Sequence, residues 1–214
     1  MKDDYVTNYL QSTLPDKNDL IIEMEAFAKK HQVPIMEPIS IEFVKQILRI
    51  KQPKRILEIG TAIGYSALRM LEASPESHIV TVERDSDRYQ EAITNIHRAN
   101  KKERIDVIFG DALEISDEVE AKGPYDVLFI DAAKGQYQKF FTLYEKFVLN
   151  GGLVITDNVL FKGYVASNPD DNSRMKKIGN KIRGFNNWLI QQPNFDTSIF
   201  PIGDGVALSV KKDK

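Results

Sequence analysis

The chain has 214 residues, of which 42% are hydrophobic and 28% are charged, and its formal net charge is −2. These values are ordinary for a soluble globular protein, and they exclude the overall basic field that attracts nucleic acid without specificity. The chain contains no cysteine, which excludes disulfides, thiolate metal ligands and a thiol nucleophile. With no signal peptide and no apolar stretch near the ~20 residues of a membrane helix, we expect a cytoplasmic protein.

The first fifty residues have a helical pattern. Apolar residues recur close to every 3.6 positions in Asp19–Lys30 and again in Ile41–Ile50. Pro34 and Pro38 lie between these segments and predict a connector. We therefore expect residues 1–52 to form a helical N-terminal extension that packs on the rest of the protein.

After residue 52 the sequence alternates short apolar runs with helical segments. Strands are predicted at Arg55–Ile59, Ile79–Val82, Ile105–Phe109, Val127–Ile130 and Leu153–Thr156, and helices at Ser66–Ala73, Asp87–Ala99, Leu113–Ala121 and Tyr137–Leu149. This alternation predicts an α/β fold with a mostly parallel sheet. Ser198–Pro201 and Val206–Lys211 flank a glycine-containing turn and predict a C-terminal antiparallel hairpin. We expect one domain, residues 1–214.

Two acidic signatures directly follow predicted strands. Asp131 and Lys134 come after the fourth strand, and Asp157 and Asn158 come after the fifth. The carboxyl ends of parallel strands are where open α/β sheets bind ligands. Two carboxylates and an amide oxygen suit a hard divalent cation, and the lysine adds a base or a positive charge. Either aspartate alone could instead be a helix cap, but the combination favours a site.

The loop after the first strand contains two glycines, in the stretch from Glu58 through Gly60 and Gly64 to Ser66. Glycines allow a sharp turn and a close approach of the backbone to a ligand. The Ser66 hydroxyl, near a helix N-terminus, is a good place for a carboxylate. The loop lacks the lysine of a phosphate-binding P-loop and the third glycine of the dinucleotide fingerprint. A plain tight turn remains an alternative.

Two further strand ends carry acidic residues. Glu83 ends the second strand about 20 residues after the glycine loop, where an acid can bind ribose hydroxyls. Asp111 and Ala112 follow the third strand, where an acidic side chain could meet an adenine amino group. Three such strand ends suit a nucleoside with an amino-acid tail. That description fits S-adenosylmethionine better than it fits NAD.

Three stretches together resemble the cation-dependent O-methyltransferases, the family of the catechol and caffeoyl-CoA enzymes. They are Ile56–Ser66, Asp131–Lys134 and Asp157–Asn158. The resemblance extends over nearly the whole chain, from Pro34 to Ala207. It implies a Rossmann-like class I methyltransferase fold with a seven-stranded sheet, S-adenosylmethionine as the cofactor and Mg²⁺ as the metal.

Within that family, two segments resemble one bacterial branch. Pro34–Pro38 and Thr81–Asp85 are similar to the enzymes that methylate 5-hydroxyuridine at the wobble position of tRNA to 5-methoxyuridine. The resemblance therefore implies a tRNA substrate. A small-molecule catechol or phenol is the alternative acceptor, and a non-catalytic binding module is a third hypothesis.

The resemblance also implies a role for each site residue. Asp131, Asp157 and Asn158 would bind Mg²⁺. Lys134 would be the general base, or the positive charge that stabilises the forming oxyanion, with Asp131 beside it at the reacting end. The cofactor contacts would come from Met36, Glu58, Gly60, Ser66, Glu83, Asp111, Ala112 and Asp131. Without the resemblance, Met36 would be taken as a core residue.

The sequence says less about how an acceptor would be bound. Phe161 or Tyr164, in the loop after the predicted metal ligands, could stack on a base, and Lys162 could bind a phosphate. Basic clusters such as Lys176–Arg183 could bind tRNA phosphates or could simply be solvated. The amphipathic N-terminal helix could serve a homodimer, which we expect, although core packing is the simpler account.

Overall fold

The computed structural model describes residues 2–166 and 174–213. Three helices come first: α1 (Lys2–Ser12), α2 (Asp19–His31) and α3 (Pro38–Lys51). Asn18 caps α2 by accepting a hydrogen bond from a backbone N–H of its first turn. The proline that begins α3 stands where a missing N–H costs nothing. The predicted N-terminal helices are confirmed. Among the described residues, none of the helices combines the length and the hydropathy that a membrane span requires.

The rest of the chain alternates strands and helices around one sheet. The strands are β1 (Arg55–Ile59), β2 (His78–Glu83), β3 (Ile105–Phe109), β4 (Tyr125–Ile130), β5 (Val148–Thr156), β6 (Phe195–Phe200) and β7 (Val206–Lys211). The helices are α4 (Tyr65–Ala73), α5 (Ser86–Arg98), α6 (Ser116–Glu120), α7 (Tyr137–Tyr144) and α8 (Arg174–Leu189).

The sheet has seven strands in the order β3-β2-β1-β4-β5-β7-β6. The first five strands in this order are parallel, and β7 runs antiparallel to both β5 and β6. This confirms the predicted parallel sheet and the C-terminal hairpin. The strand order reverses between β1 and β4, which opens a crevice at their carboxyl ends where such sheets bind ligands.

Successive side chains of a strand point to opposite faces of the sheet, and helices cover both faces, so both sets of side chains are buried. One face packs against α2, α3 and α4 through residues such as Met24 and Leu48. The other face packs against α7 and α8 through residues such as Phe141 and Ile182. The sheet is therefore held rigidly between two layers of helices, and its carboxyl edge is a firm base for a site.

The boundary between α7 and β5 differs from the prediction. The predicted helix Tyr137–Leu149 ends at Tyr144, and after a short 3-10 turn β5 already begins at Val148. The strand was predicted only from Leu153 because Gly151, whose φ is 68°, and the glycine after it interrupt the apolar run. Helix α8 was not predicted at all.

Candidate functional site

The carboxyl ends of the parallel strands open onto a cavity of about 350 Å³. Nine residues that the sequence singled out line it: Met36, Gly60, Ser66, Glu83, Asp111, Ala112, Asp131, Lys134 and Asn158. The other two, Glu58 and Asp157, lie just behind the cavity wall and are buried. The fold thus brings candidate residues from the ends of five strands, and Met36 from the connector before α3, to one place.

The loop after β1 is shaped by two glycines with left-handed backbone. The φ angle is 105° at Gly60 and 83° at Gly64. A Cβ on Gly60 would lie 2.1 Å from the Asp131 carbonyl oxygen, so only glycine lets this loop pack against the loop after β4. The N–H groups of Gly60 and Thr61 both donate to the carbonyl of Val82. The loop then runs into the N-terminus of α4, a favourable place for a negatively charged group.

Glu58 lies beneath this loop and has no surface on the cavity. Its carboxylate accepts hydrogen bonds of 2.5 Å from the Ser66 hydroxyl and 2.5 Å from the Thr81 hydroxyl. Burial raises the pKa of Glu58 to about 7, although the two hydroxyl donors act in the opposite direction. The predicted direct contact of Glu58 with the cofactor is therefore wrong in its geometry. Glu58 instead holds Ser66 in place, and Ser66 faces the cavity.

Glu83 is oriented by three backbone N–H groups. Oε2 accepts from Ala62 at 2.8 Å, and Oε1 accepts from Arg84 at 3.0 Å and from Asp85 at 2.9 Å. A carboxylate oxygen can accept two hydrogen bonds, so Oε2 of Glu83, which lines the cavity, can accept one more. A ribose hydroxyl could donate that hydrogen bond.

The wall predicted for adenine is also fixed by hydrogen bonds. Asp111 Oδ1 accepts from the Leu113 N–H at 2.9 Å, and Oδ2 lies 3.4 Å from the exposed Arg84 guanidinium. The buried hydroxyl of Tyr144 donates to the Ala112 carbonyl at 2.5 Å. Tyr144, at the end of α7, therefore fixes the backbone at Ala112.

The two acidic signatures meet through Asn158. Its Nδ2 donates to Asp131 Oδ1 at 3.1 Å and to Asp157 Oδ2 at 2.8 Å. Burial raises the pKa of both aspartate carboxyls, and the neighbouring charge of Asp131 raises that of Asp157 further. Asp157 Oδ1 is buried and finds no hydrogen-bond partner among the described residues.

This donor set fits a hard divalent cation. Two carboxylates and an amide are oxygen ligands of the kind that Mg²⁺ prefers, and a cation would satisfy the unpaired oxygen of Asp157. The NH₂ group of Asn158 now lies between the carboxylates, so a half-turn of the amide would present its oxygen there instead. Within residues 2–166 and 174–213, no three His, Asp or Glu side chains come together to hold a metal. The third protein oxygen available beside the two carboxylates is that of the Asn158 amide.

The loop after β5 is held in place by the turn of the C-terminal hairpin. The N–H of Val159 donates to the Gly205 carbonyl at 3.0 Å, and the N–H of Leu160 donates to the Asp204 carbonyl at 2.9 Å. This support matters because Asn158 has a left-handed backbone, with φ of 61°. The hairpin, remote in sequence, therefore helps to shape the candidate metal site.

Lys134 lines the cavity close to the two aspartates. Its Nζ lies 5.6 Å from the centre of the Phe161 ring, a cation–π contact. Phe161 is only 6% exposed and packs against Tyr164, so it cannot stack on a substrate base. Tyr164, the other residue predicted for this role, is half-buried, and its stacking stays a prediction. Lys162 is exposed on the same loop, as a phosphate contact would require.

Several cavity residues escaped the sequence analysis: Tyr65, Arg84, Arg88, Gln136 and Phe140. Tyr65, Arg84 and Gln136 could have been suspected because they stand within two residues of Ser66, Glu83 and Lys134. Arg88 and Phe140 gave no signal, since the packing of their helices decides which side chains face the cavity. Tyr65 also ties the cavity wall to α2, because its hydroxyl donates to Glu25 at 2.7 Å.

Comparison with known proteins finds one family across nearly the whole chain. A family model described as O-methyltransferase matches residues 11–212. The chain is 30% identical to a catechol O-methyltransferase of Niastella koreensis, over 97% of this chain and 96% of that protein. It is also 30% identical to a caffeoyl-CoA O-methyltransferase of Populus kitakamiensis, over 94% of this chain and 89% of that protein.

Solved structures give the same picture. A Staphylococcus aureus protein proposed to be a caffeoyl-CoA O-methyltransferase is 37% identical, with a TM-score of 0.88 over 98% of this chain and 99% of that one. An O-methyltransferase of Bacillus cereus in complex with SAH, S-adenosylhomocysteine, is 28% identical, with a TM-score of 0.84 over 97% of each chain.

Proposed function

Because the chain belongs to the O-methyltransferase family of the caffeoyl-CoA and catechol type, we propose that it is a Mg²⁺-dependent enzyme that methylates a hydroxyl with a second oxygen beside it. Membership of the O-methyltransferase family supplies S-adenosylmethionine as the methyl donor. The cation and the acceptor are our proposal. One observation carries the proposal: Asn158 bridges two carboxylates, that of the half-buried Asp131 and that of the buried Asp157, at the edge of the cofactor cavity.

The chemistry follows from the charges around the cavity. Mg²⁺ bound by these residues would lower the pKa of an acceptor hydroxyl and orient its oxygen. Asp131 and Asp157 supply the negative charge that such a cation needs. Lys134, on the same wall, can hold a positive charge beside the forming oxyanion or accept its proton. Methyl transfer is an in-line displacement, so fixing the donor and the acceptor in one rigid cavity supplies much of the acceleration.

A small-molecule catechol or phenol is the acceptor that is best supported. A catechol offers two adjacent oxygens, which suit a cation that keeps open coordination positions beside its protein ligands. The relatives described above carry the names of catechol and caffeoyl-CoA enzymes. Both names refer to phenolic acceptors, which is why this acceptor class takes precedence over tRNA.

5-Hydroxyuridine in tRNA is the second candidate. Its 5-hydroxyl also lies beside an oxygen, the C4 carbonyl, so the chelating chemistry is the same. Two cations near the site favour it: Lys162 is exposed on the loop after β5, and Lys181 Nζ comes within 3.9 Å of a Cβ built on Gly135, next to Lys134. Such lysines could bind phosphates on either side of a flipped-out base.

One assay separates the two acceptors. The purified protein is incubated with S-adenosylmethionine and Mg²⁺, in parallel with catechol, with caffeoyl-CoA and with tRNA that carries 5-hydroxyuridine. We expect methylated phenol by mass spectrometry, and no product when EDTA replaces Mg²⁺. Methoxyuridine in the tRNA, with both phenols unchanged, would assign the second candidate instead. Transfer to none of the three would refute both acceptors.

The cation site itself is tested by Asp157→Ala. We expect this variant to lose cation-dependent transfer while it still folds and binds S-adenosylmethionine, because it removes a ligand behind the cavity wall and none of the cofactor contacts. Calorimetry with the cofactor and single-turnover transfer measure the two effects. Asp196→Ala, which removes an exposed carboxylate on β6, is the matched control. Full activity of Asp157→Ala in EDTA would rule out the metal assignment.

A further inference from the structure

Two side chains outside the cavity bind the backbone on either side of Asn158. Tyr137, buried at the start of α7, donates its hydroxyl to the Asp157 carbonyl at 3.0 Å. Asn186, buried in α8, donates its Nδ2 to the Val159 carbonyl at 2.8 Å. The carbonyl before Asn158 and the carbonyl after it are therefore each fixed by a different helix.

Asn158 has a left-handed backbone, with a φ of 61°. Asparagine adopts this conformation more readily than most residues other than glycine, but extended and right-handed backbones are still more favourable for it, so the flanking hydrogen bonds help to hold it. In this conformation its side chain reaches Asp131 Oδ1 and Asp157 Oδ2 at once. If the flanking carbonyls were released, the peptide could relax toward a more favourable φ, and the amide would swing away from the carboxylates.

The two restraints form one packed unit. The Tyr137 ring makes an edge-to-face contact with Phe185, at 5.4 Å between ring centres, and Phe185 directly precedes Asn186 in α8. A shift of either helix would therefore disturb both hydrogen bonds to the loop.

The chemistry of Asn186 also points to a dedicated role. Its Oδ1 is buried and has no hydrogen-bond partner among the described residues. An unpaired buried carbonyl is costly, and an apolar side chain at this position would avoid that cost. Within the part of the chain that the structure describes, the amide's hydrogen bond is the one to the Val159 carbonyl, which offsets part of the cost of its burial.

We propose that Tyr137 and Asn186 are positioning residues of the cation site. By fixing the carbonyls of Asp157 and Val159, they hold Asn158 where its amide oxygen can join the two carboxylates around a divalent cation. Neither side chain lines the cavity, so both act through Asn158 rather than on the reactants. This inference rests on the proposed function, because it presupposes a cation at Asp131, Asp157 and Asn158.

The test uses Tyr137→Phe and Asn186→Leu, each of which removes one hydrogen bond and nearly keeps the side-chain volume. The probe is Mn²⁺, whose binding to the whole chain is measured by calorimetry and by electron paramagnetic resonance. We expect each variant to bind Mn²⁺ about 10-fold more weakly, the loss typical of residues that orient a metal ligand. The affinity for S-adenosylmethionine, measured without cation, should stay within about twofold, since the cofactor contacts are untouched.

Matched controls come from the same chain. Tyr125→Phe removes the bond from another buried tyrosine to the Val119 carbonyl. Asn95→Leu removes the bonds from another buried asparagine to the Ile63 carbonyl and to the Glu91 carboxylate. Both should leave Mn²⁺ binding unchanged. Unchanged Mn²⁺ affinity in Tyr137→Phe, which loses a single oxygen and keeps its packing, would overturn the inference. An equal loss in the controls would overturn it too. A wild-type protein that binds no Mn²⁺ would instead refute the cation site of the proposed function.

Discussion

Glu58 is a carboxyl group enclosed in the sheet, with two hydroxyl donors and no contact with solvent. Burial raises its pKa from 4.5 to about 7. The folded protein therefore keeps a proton on Glu58 at pH values where the unfolded chain has already lost it. The neutral Glu58 therefore makes a contribution to the free energy of unfolding that is present in full below pH 4.5, the pKa of the unfolded chain. This contribution is lost as the pH rises through about 7, the pKa in the folded protein.

We predict that Glu58→Gln removes this pH dependence. Glutamine stays neutral, so the variant should gain stability relative to the wild type between pH 5 and pH 8, by at most about 3 kcal/mol. Other titrating groups are common to both proteins and cancel in the difference. Urea unfolding of both proteins at a series of pH values measures this difference in the free energy of unfolding. A difference that does not change with pH would show that Glu58 is ionised across the whole range.

The sequence predicted the residues at strand ends better than the residues that support them. Asp131 and Asp157 were found because apolar runs mark strands, and the residue after a buried parallel strand must lie at the edge of the sheet. Tyr137 and Asn186 were not found, since their hydrogen bonds depend on how α7 and α8 dock. Glu58 was found, but only the structure shows that it faces Ser66 rather than the cavity.

At the scale of elements, the cavity exists because the loops after β1 and β4 touch. Gly60 makes this contact possible, since its position allows no side chain next to the Asp131 carbonyl. In the proposed function, the loop after β1 would bind the carboxylate of the cofactor and the loop after β4 would bind the cation. Any residue larger than glycine would force them apart.

We predict that Gly60→Ala destabilises the protein by more than about 3 kcal/mol, because left-handed strain adds to a clash with backbone that cannot move cheaply. It should also abolish binding of S-adenosylmethionine. Gly163→Ala is the control, since Gly163 has a φ of 79° but nothing within 4 Å of an added Cβ. That variant should lose only about 1 kcal/mol, the strain alone. Equal losses in thermal or urea unfolding would contradict the contact between the loops.

Among the elements, α8 shows why some of the fold was not predictable. Its buried residues Ile182, Phe185, Asn186 and Leu189 have helical spacing. However, the helix contains two glycines and three asparagines, and such residues are weak helix formers. The helix is stabilised by tertiary packing on the sheet rather than by local propensity. The first half of β5 was missed for the same reason: its two glycines interrupt the apolar run, and pairing with β4 on both sides of them keeps this stretch in the sheet.

At the scale of the whole molecule, the two apolar clusters found among the described residues lie on the two faces of the sheet, and helix α1 contributes to neither of them. Helix α1 has 11 residues, and its Tyr5, Val6, Tyr9 and Leu10 are 40% to 75% exposed. A helix of this length is marginal in water unless its apolar face is packed. It contacts α3 on the same chain, but that contact leaves these four side chains uncovered. We propose that a second copy of the chain covers them in a homodimer.

The dimer predicts the effect of charge on this face. Val6→Glu with Tyr9→Glu should change the mass in solution from about twice 24.4 kDa to 24.4 kDa, because each charge would be buried without a partner in the interface. Both positions are exposed in the single chain, so its own stability should change by less than about 0.5 kcal/mol. Ile190→Glu is the control, because Ile190 is equally exposed but follows α8 on the opposite face of the sheet. Light scattering on a sizing column measures all three proteins. A monomeric wild type would exclude the dimer, and a double variant that stays dimeric would move the interface away from α1.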